Sequence, residues 1–121
     1  MTAPGSLYVA DLAGGRGREQ GAHGNPVRPV LVVSDDAFRA PGLLFAVPLT
    51  TTDRQLRHHV SVPANSLTGL QRDSFAMTEQ ARALSTTRLL GPRPLGTVGP
   101  EILGETRRWI AAQLGIAFNA S

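Results

Sequence analysis

The sequence predicts a mainly β (α+β) fold, a small curled antiparallel barrel or sheet closed by one C-terminal helix. Short apolar or alternating runs recur between Gly- and Pro-containing turns from residue 6 to residue 98, as in an all-β domain. Only the stretch that begins at Pro100 has its apolar residues at helical spacing. A chain of 121 residues is long enough to bury one core, so we expect a single domain over residues 1–121.

The strongest strand signal is the unbroken apolar run at residues 30–33, which is typical of a strand buried on both faces. Residues 6–12 predict the first strand, and residues 43–50 predict a second buried one. Pro48 cannot donate to a ladder, so we expect it at an edge, a bulge or the end of that strand. Residues 58–62 alternate as a half-exposed strand should.

The last third of the chain predicts a further strand from residue 75 to residue 83, then a short helical turn or loop at 85–89, and a short strand at 95–98. The helix follows. Pro100 suits its first position, Glu101 places negative charge in its first turn, and Gly115 supplies the stop.

Composition narrows the possible partners. The chain carries twelve basic residues, all arginine, with a net charge of +3 and a pI of about 11.0. The planar guanidinium of arginine can bind a phosphate through two parallel N–H donors, so this composition is compatible with a phosphate-rich partner. There is no cysteine, which excludes disulfides and thiolate metal sites and is consistent with a cytoplasmic location. The sequence has neither a membrane-spanning apolar run nor the pattern of a signal peptide.

Histidine chemistry is the first candidate for a site. His58 and His59 are adjacent, so on a strand they would point to opposite faces and could not share one ion. We therefore expect no metal site. Acid–base catalysis by His23 with His58 or His59 is a possible arrangement around a phosphate, but these residues equally suit an exposed strand and a loop.

A long Gly-rich loop at residues 13–26 carries several charged side chains, and its Gly14–Gly17 stretch invites comparison with a phosphate-binding loop. It lacks the lysine and the Ser/Thr of that motif, and no helix follows it. Directly after the loop, Arg28 stands at the entrance of the buried strand. A buried strand is rigid, so it would hold the Arg28 guanidinium in a fixed position.

Six ordered fragments resemble the MazF/PemK family of toxin endoribonucleases, and the resemblance covers nearly the whole chain, from Leu7 to about Leu114. They are 17–21 (GREQG), 28–34 (RPVLVVS), 47–50 (VPLT), 56–60 (LRHHV), 78–82 (TEQAR) and 95–98 (LGTV). The resemblance implies an SH3-like barrel with a C-terminal helix. It also implies a homodimer that cuts single-stranded RNA without a metal or other cofactor, leaving a 2′,3′-cyclic phosphate and a 5′-hydroxyl. An antitoxin with an acidic, flexible segment would hold the enzyme inactive.

The same resemblance implies roles for individual residues. The essential arginine and threonine of the family fall on Arg28 and Thr50, and the glutamate of its loop falls on Glu19. We therefore predict these three as catalytic. Residues predicted to contact RNA are Arg16, Arg18, Gln20, Gln80 and Arg82. The loop at residues 22–27 is longer than in many members, which affects the expected RNA preference and leaves the expected reaction unchanged.

The chemistry of the residues agrees with this assignment. Attack by a 2′-hydroxyl builds negative charge on phosphorus, which a fixed guanidinium and a hydroxyl donor can stabilise. Arginine is a poor general base, so Glu19 is the better acceptor for the 2′-proton. A gyrase-directed toxin and a silent RNA- or antitoxin-binding module remain alternatives on the same barrel. The presence of both Arg28 and Thr50 favours catalysis.

Overall fold

The computed structural model describes residues 2–13, 26–35 and 40–116. In this part of the chain, eight β-strands precede one α-helix. The strands are β1 (Ser6–Asp11), β2 (Val27–Val32), β3 (Leu43–Thr50), β4 (His59–Val62), β5 (Ser74–Met77), β6 (Arg82–Ser85), β7 (Leu89–Leu90) and β8 (Gly96–Thr97), and the helix is α1 (Pro100–Gln113). None of the described helical segments is long and apolar enough to cross a membrane.

All strand pairs are antiparallel, and the sheet runs in the order β4-β5-β3-β2-β1-β7. Strand β3 has three partners. One edge of β3 pairs with β2, and the other edge pairs with β6 near the start of β3 and with β5 at the end of β3. β1 is shared in the same way by β7 and β8. Because β3 and β1 each change partner along their length, the sheet curls around its core. The predicted curled antiparallel sheet is confirmed.

Two apolar clusters lie on the two faces of the sheet. Leu31 belongs to the helix-side cluster, whereas its neighbours Val30 and Val32 belong to the far-side cluster. All three are at most 1% exposed. This confirms the strand buried on both faces, because successive side chains of a strand point to opposite sides and here both sides are covered.

Helix α1 covers the helix-side cluster with an apolar face that includes Ile102 and Trp109. Thr106 is fully buried on this face, and its hydroxyl donates to the Ile102 carbonyl at 2.7 Å. The guanidinium of Arg107 donates through Nε and Nη2 to the Val33 carbonyl, at 3.0 and 2.8 Å. The predicted helix is confirmed, and the contact of Arg107 with Val33 ties it to the end of β2.

Three details differ from the sequence prediction. The strand expected at residues 75–83 is interrupted by a 3₁₀ turn at Thr78–Gln80, which separates β5 from β6. Arg28 lies within β2 and not before it, opposite Ala10 of β1. Pro48 lies inside β3, opposite Val30, because its missing N–H leaves the β2 side of the ladder undisturbed.

Candidate functional site

The register of β2 and β3 bears on the positions of Arg28 and Thr50. The observed ladder ends at Val30 opposite Pro48, and the same register continued by two residues would place Arg28 opposite Thr50. Directly opposite side chains of an antiparallel pair point to the same face. Arg28 bonds to the carbonyl of Leu49, the residue before Thr50, so both lie near the same end of β3.

The guanidinium of Arg28 is held in place by the backbone of β3. Its Nη1 donates to the Leu49 carbonyl at 3.1 Å. The ladder explains why this carbonyl accepts a side chain. The Val33 N–H donates to the Phe45 carbonyl, so the hydrogen-bonded pairs between β2 and β3 are those of odd-numbered residues. In this register Leu49 faces Pro29. Proline has no N–H to donate, and the arginine beside it takes over that bond.

The electrostatics of this rim favour an anion. Partial burial of Arg28, together with the positive charge of Arg54, lowers the pKa of the Arg28 guanidinium from its usual value. Arginine nonetheless stays charged at neutral pH. Two positive side chains thus raise the local potential in a place that is partly shielded from water, where an incoming phosphate would offset the unfavourable repulsion between them.

Thr50 ends β3 with its side chain 8% exposed. Its Oγ1 accepts a hydrogen bond from the Thr52 N–H at 3.2 Å. Since a hydroxyl can accept and donate at once, this bond orients the oxygen and leaves its hydrogen to act as a donor.

A pocket of about 360 Å³ opens at the same rim. Arg28 and Arg72 supply its positive charge, and Thr51, not Thr50, is part of its wall. Most of the other lining is apolar or uncharged: Val9, Val27, Pro29, Gly69, Leu70, Gln71 and Leu95. A mainly apolar pocket with a few convergent polar groups is the usual form of a small-ligand site.

The structure does not bring the other described candidates to this pocket. Arg82 lies opposite Ala46, four residues before Thr50 on β3, which corresponds to roughly 13 Å along the strand. Gln80 belongs to the 3₁₀ turn, where its Nε2 contacts the Met77 sulfur at 3.7 Å. If both contact RNA, the bound strand must extend well beyond the Arg28 pocket.

The remaining predicted residues lie in the Gly-rich loop, outside the described part of the chain. They are Arg16, Arg18, Glu19 and Gln20, together with His23 of the alternative histidine mechanism. Their roles stay predictions.

The sequence analysis missed the grouping of Glu79 with His58 and His59. The Nε2 of His59 lies 3.0 and 3.1 Å from the two carboxylate oxygens of Glu79, and the Nε2 of His58 lies 3.3 Å from one of them. The expectation that adjacent histidines diverge was wrong here, because β4 begins at His59 and His58 precedes it. The 3₁₀ turn brings Glu79 to both rings, a placement that strand alternation does not predict.

The charge state of Glu79 follows from these neighbours. Burial by itself would raise the pKa of its carboxyl. A hydrogen bond from His59, one from the Glu79 backbone, and the charges of His59 and His58 outweigh burial and leave the pKa below its ordinary value. Glu79 is therefore a carboxylate at neutral pH.

A curled antiparallel β-sheet with one C-terminal helix, an arginine held at one rim and a pocket lined by two arginines is an arrangement suited to a phosphate group. The family model for the "PemK-like, MazF-like toxin of type II toxin-antitoxin system" matches residues 3–114. The chain belongs to this family. It is also similar to endoribonuclease MazF9 of Mycobacterium tuberculosis, with 33% identity over 111 residues, covering 87% of this chain and 89% of the relative.

Solved structures show the same fold. The crystal structure of MazF from Deinococcus radiodurans superimposes with a TM-score of 0.78 at 24% identity, covering 95% of this chain and 97% of that one. A mycobacterial endoribonuclease in complex with its cognate antitoxin gives a TM-score of 0.73 at 24% identity, covering 98% of this chain and all (100%) of that chain.

Proposed function

We propose that this toxin is an endoribonuclease that cleaves single-stranded RNA at the rim formed by Arg28 and Thr50. Membership of the toxin family and the similarity to an endoribonuclease support the reaction class. The observation that carries the proposed site is the bond from the Arg28 guanidinium to the Leu49 carbonyl, one residue before Thr50. It holds a charged group of the right kind beside an oriented hydroxyl.

The proposed reaction needs no metal. The 2′-hydroxyl of the substrate attacks the adjacent phosphorus, the bond to the 5′-oxygen breaks, and the products are a 2′,3′-cyclic phosphate and a 5′-hydroxyl. Arg28 stabilises the extra negative charge on the five-coordinate phosphorus and supplies a proton donor near the leaving oxygen. Thr50 donates a hydrogen bond to a phosphoryl oxygen. Glu19 accepts the 2′-proton in this scheme.

The proposed partners follow from the same charge distribution. A substrate strand would continue from the pocket along Gln80 and Arg82. Arg16, Arg18 and Gln20 of the Gly-rich loop are proposed as further RNA contacts. A cognate antitoxin would occupy this path with an acidic, flexible segment, because carboxylates compete with phosphates for the same guanidiniums. A homodimer and a cytoplasmic location, where RNA is available, complete the proposal for this single domain.

The test is cleavage of a long RNA by purified protein in excess chelator. We expect Arg28→Ala to reduce kcat by roughly 100-fold or more, the usual loss when a donor to a developing oxyanion is removed. Thr50→Val should lose much of the rate, whereas Thr50→Ser keeps the hydroxyl and should retain most of it. Arg108→Ala, on helix α1, serves as the matched arginine control.

Each outcome distinguishes the candidate functions. Intact RNA with the unsubstituted protein would contradict the proposal and leave a gyrase-directed toxin or a binding module. Cleavage that survives both Arg28→Ala and Thr50→Val would move the site to the histidines.

Product termini, measured by mass spectrometry, should carry the cyclic phosphate. Glu19→Gln should remove a carboxylate limb from the pH–rate profile, and an unchanged profile would exclude Glu19 as the base.

A further inference from the structure

The group formed by His58, His59 and Glu79 has the donor geometry of a metal site. One ligand atom from each residue can be chosen so that all three lie within 4.8 Å of one another. The two Nε2 atoms stand 3.3 and 3.0 Å from the same carboxylate oxygen. Ligands that bind Zn²⁺ at about 2.0–2.2 Å with tetrahedral angles are themselves roughly 3.3–3.5 Å apart. The two histidine–glutamate distances therefore need to open by only a few tenths of an ångström, and the two imidazole ligand atoms lie within 4.8 Å of each other.

The chemistry of the donors is suitable as well. Two imidazoles and a carboxylate are the ligand types that Zn²⁺ and similar divalent transition ions take in three-ligand sites. A glutamate side chain is ordinarily a carboxylate at neutral pH, as a ligand must be. Both histidines present Nε2 to the carboxylate, so each ring already points the nitrogen that would bind.

The surroundings hold the three ligands in place and leave a route for the ion. The side chain of His59 is 2% exposed, whereas those of His58 and Glu79 are 30% and 33% exposed. Thr78 donates to the His58 carbonyl at 2.6 Å and accepts from Gln113 of α1 at 2.8 Å. One ligand is thus rigidly buried, and the other two border solvent, where a fourth ligand such as water can bind.

We propose that His58, His59 and Glu79 form a binding site for one divalent transition-metal ion, with Zn²⁺ as the representative ion. The ion joins the start of β4 to the turn between β5 and β6. It is separate from the proposed cleavage chemistry, which uses Arg28 and Thr50 and proceeds in chelator. Its direct effect is on stability and on the position of Gln80, the residue next to Glu79.

The affinity is expected to be moderate. The Nδ1 atom of His59 is buried and has no hydrogen-bond partner among the described residues. Metal-binding histidines usually donate this second N–H to an acceptor, and loss of that acceptor weakens binding by about 10–100-fold. With three protein ligands, we expect a dissociation constant on the order of micromolar, weaker than four-ligand structural zinc sites.

The experiment is calorimetric titration of the full chain with ZnCl₂, followed by Co²⁺ titration monitored by visible absorption. We expect one ion per chain and a Co²⁺ spectrum typical of low coordination. His58→Gln, at the partly exposed position, and Glu79→Gln should each weaken binding at least tenfold. His23→Gln, which replaces the third histidine of the chain, should leave binding unchanged. Saturating Zn²⁺ should raise the thermal midpoint of the unsubstituted protein by several degrees and that of His58→Gln by much less.

Circular dichroism confirms that each variant is folded, and His58→Gln decides the result if Glu79→Gln is unstable. Absence of saturable binding in the unsubstituted protein would overturn the proposal. So would equal affinity in His58→Gln, or a loss of affinity in His23→Gln that matches the loss in His58→Gln. RNA cleavage measured with and without chelator is recorded separately, so failure of the metal site and failure of the nuclease assignment are distinguishable.

Discussion

The dipeptide Arg28-Pro29 shows how one residue prepares another for function. Pro29 supplies no N–H to the β3 carbonyl that it faces, and Arg28 donates to that carbonyl instead. The arginine is thereby bonded to Leu49, immediately before Thr50. We infer that Pro29 acts as a positioning residue, because its missing donor creates the acceptor that holds the guanidinium.

This leads to a prediction for Pro29→Ala. The new N–H would bond to the Leu49 carbonyl, displace the guanidinium from it, and reduce kcat by about 10–100-fold, as expected for misplacement by an ångström or less. Stability should change little, because the added hydrogen bond of about 1 kcal/mol offsets the greater freedom of the unfolded chain. Both are measured by RNA cleavage and urea unfolding.

Pro48→Ala is the matched control for that substitution. Pro48 lies opposite Val30, with its nitrogen turned away from β2, so alanine there offers no bond to Leu49. We expect cleavage by this variant to be close to that of the unsubstituted protein. A Pro29→Ala protein with full activity would show that Arg28 needs no such fixing.

Among the elements, the contact between the loop at 63–73 and strand β8 forms one wall of the pocket. The Thr97 N–H donates to the Leu67 carbonyl at 3.0 Å, and Leu70, Arg72 and Leu95 line the pocket on either side of this contact. The backbones approach so closely that a Cβ at Gly96 would collide with the Leu67 and Thr68 carbonyls. Glycine is required here by space.

Gly96→Ala is therefore expected to lower the free energy of unfolding by about 1–3 kcal/mol, the usual cost of overpacking, or to prevent folding. The same change should weaken RNA binding, since the pocket wall must move. Urea unfolding gives the stability, and filter binding at a temperature where the variant is folded gives the affinity. Unchanged stability would mean that the loop can shift freely.

Gly104→Ala on helix α1 should have the opposite effect. A Cβ at this position meets only the Arg108 guanidinium, at an ordinary contact distance of 3.5 Å. Alanine is favoured over glycine inside a helix by up to about 1 kcal/mol. We expect a gain of roughly 0.5–1 kcal/mol in unfolding free energy with cleavage unaltered. A loss of stability here would show that α1 is packed more tightly at Gly104 than the structure indicates.

For the molecule as a whole, a net charge of +3 is modest, but Arg28, Arg54 and Arg72 concentrate positive charge at one rim. Binding of single-stranded RNA should therefore weaken with salt. Removing one arginine that binds a phosphate reduces the slope of log affinity against log salt by about 0.7. We expect this reduction for Arg72→Gln and none for Arg108→Gln, measured with RNA 2′-O-methylated throughout, which cannot be cut. Equal slopes for the two variants would remove Arg72 from the interface.

Much of this architecture was predictable from local patterns. Residues 6–12, 43–50 and 100–114 appear as strands and a helix almost at the predicted bounds, because hydrophobic periodicity is a local property of the chain. The ordered fragments also led to the toxin family, which the family match confirms. Arg28 and Thr50 were selected by that resemblance, since each by itself would pass for a surface residue.

The tertiary structure decided which residues meet. Strand pairing joins positions far apart in the sequence, so neither the contact of Arg28 with Leu49 nor the role of Pro29 could be predicted from spacing. The 3₁₀ turn at Thr78–Gln80 interrupts a segment that the sequence pattern predicts as one strand. The turn places Glu79 within hydrogen-bond distance of His58 and His59. Local pattern thus specifies the elements, while register and a three-residue turn, both set by packing in three dimensions, specify the sites.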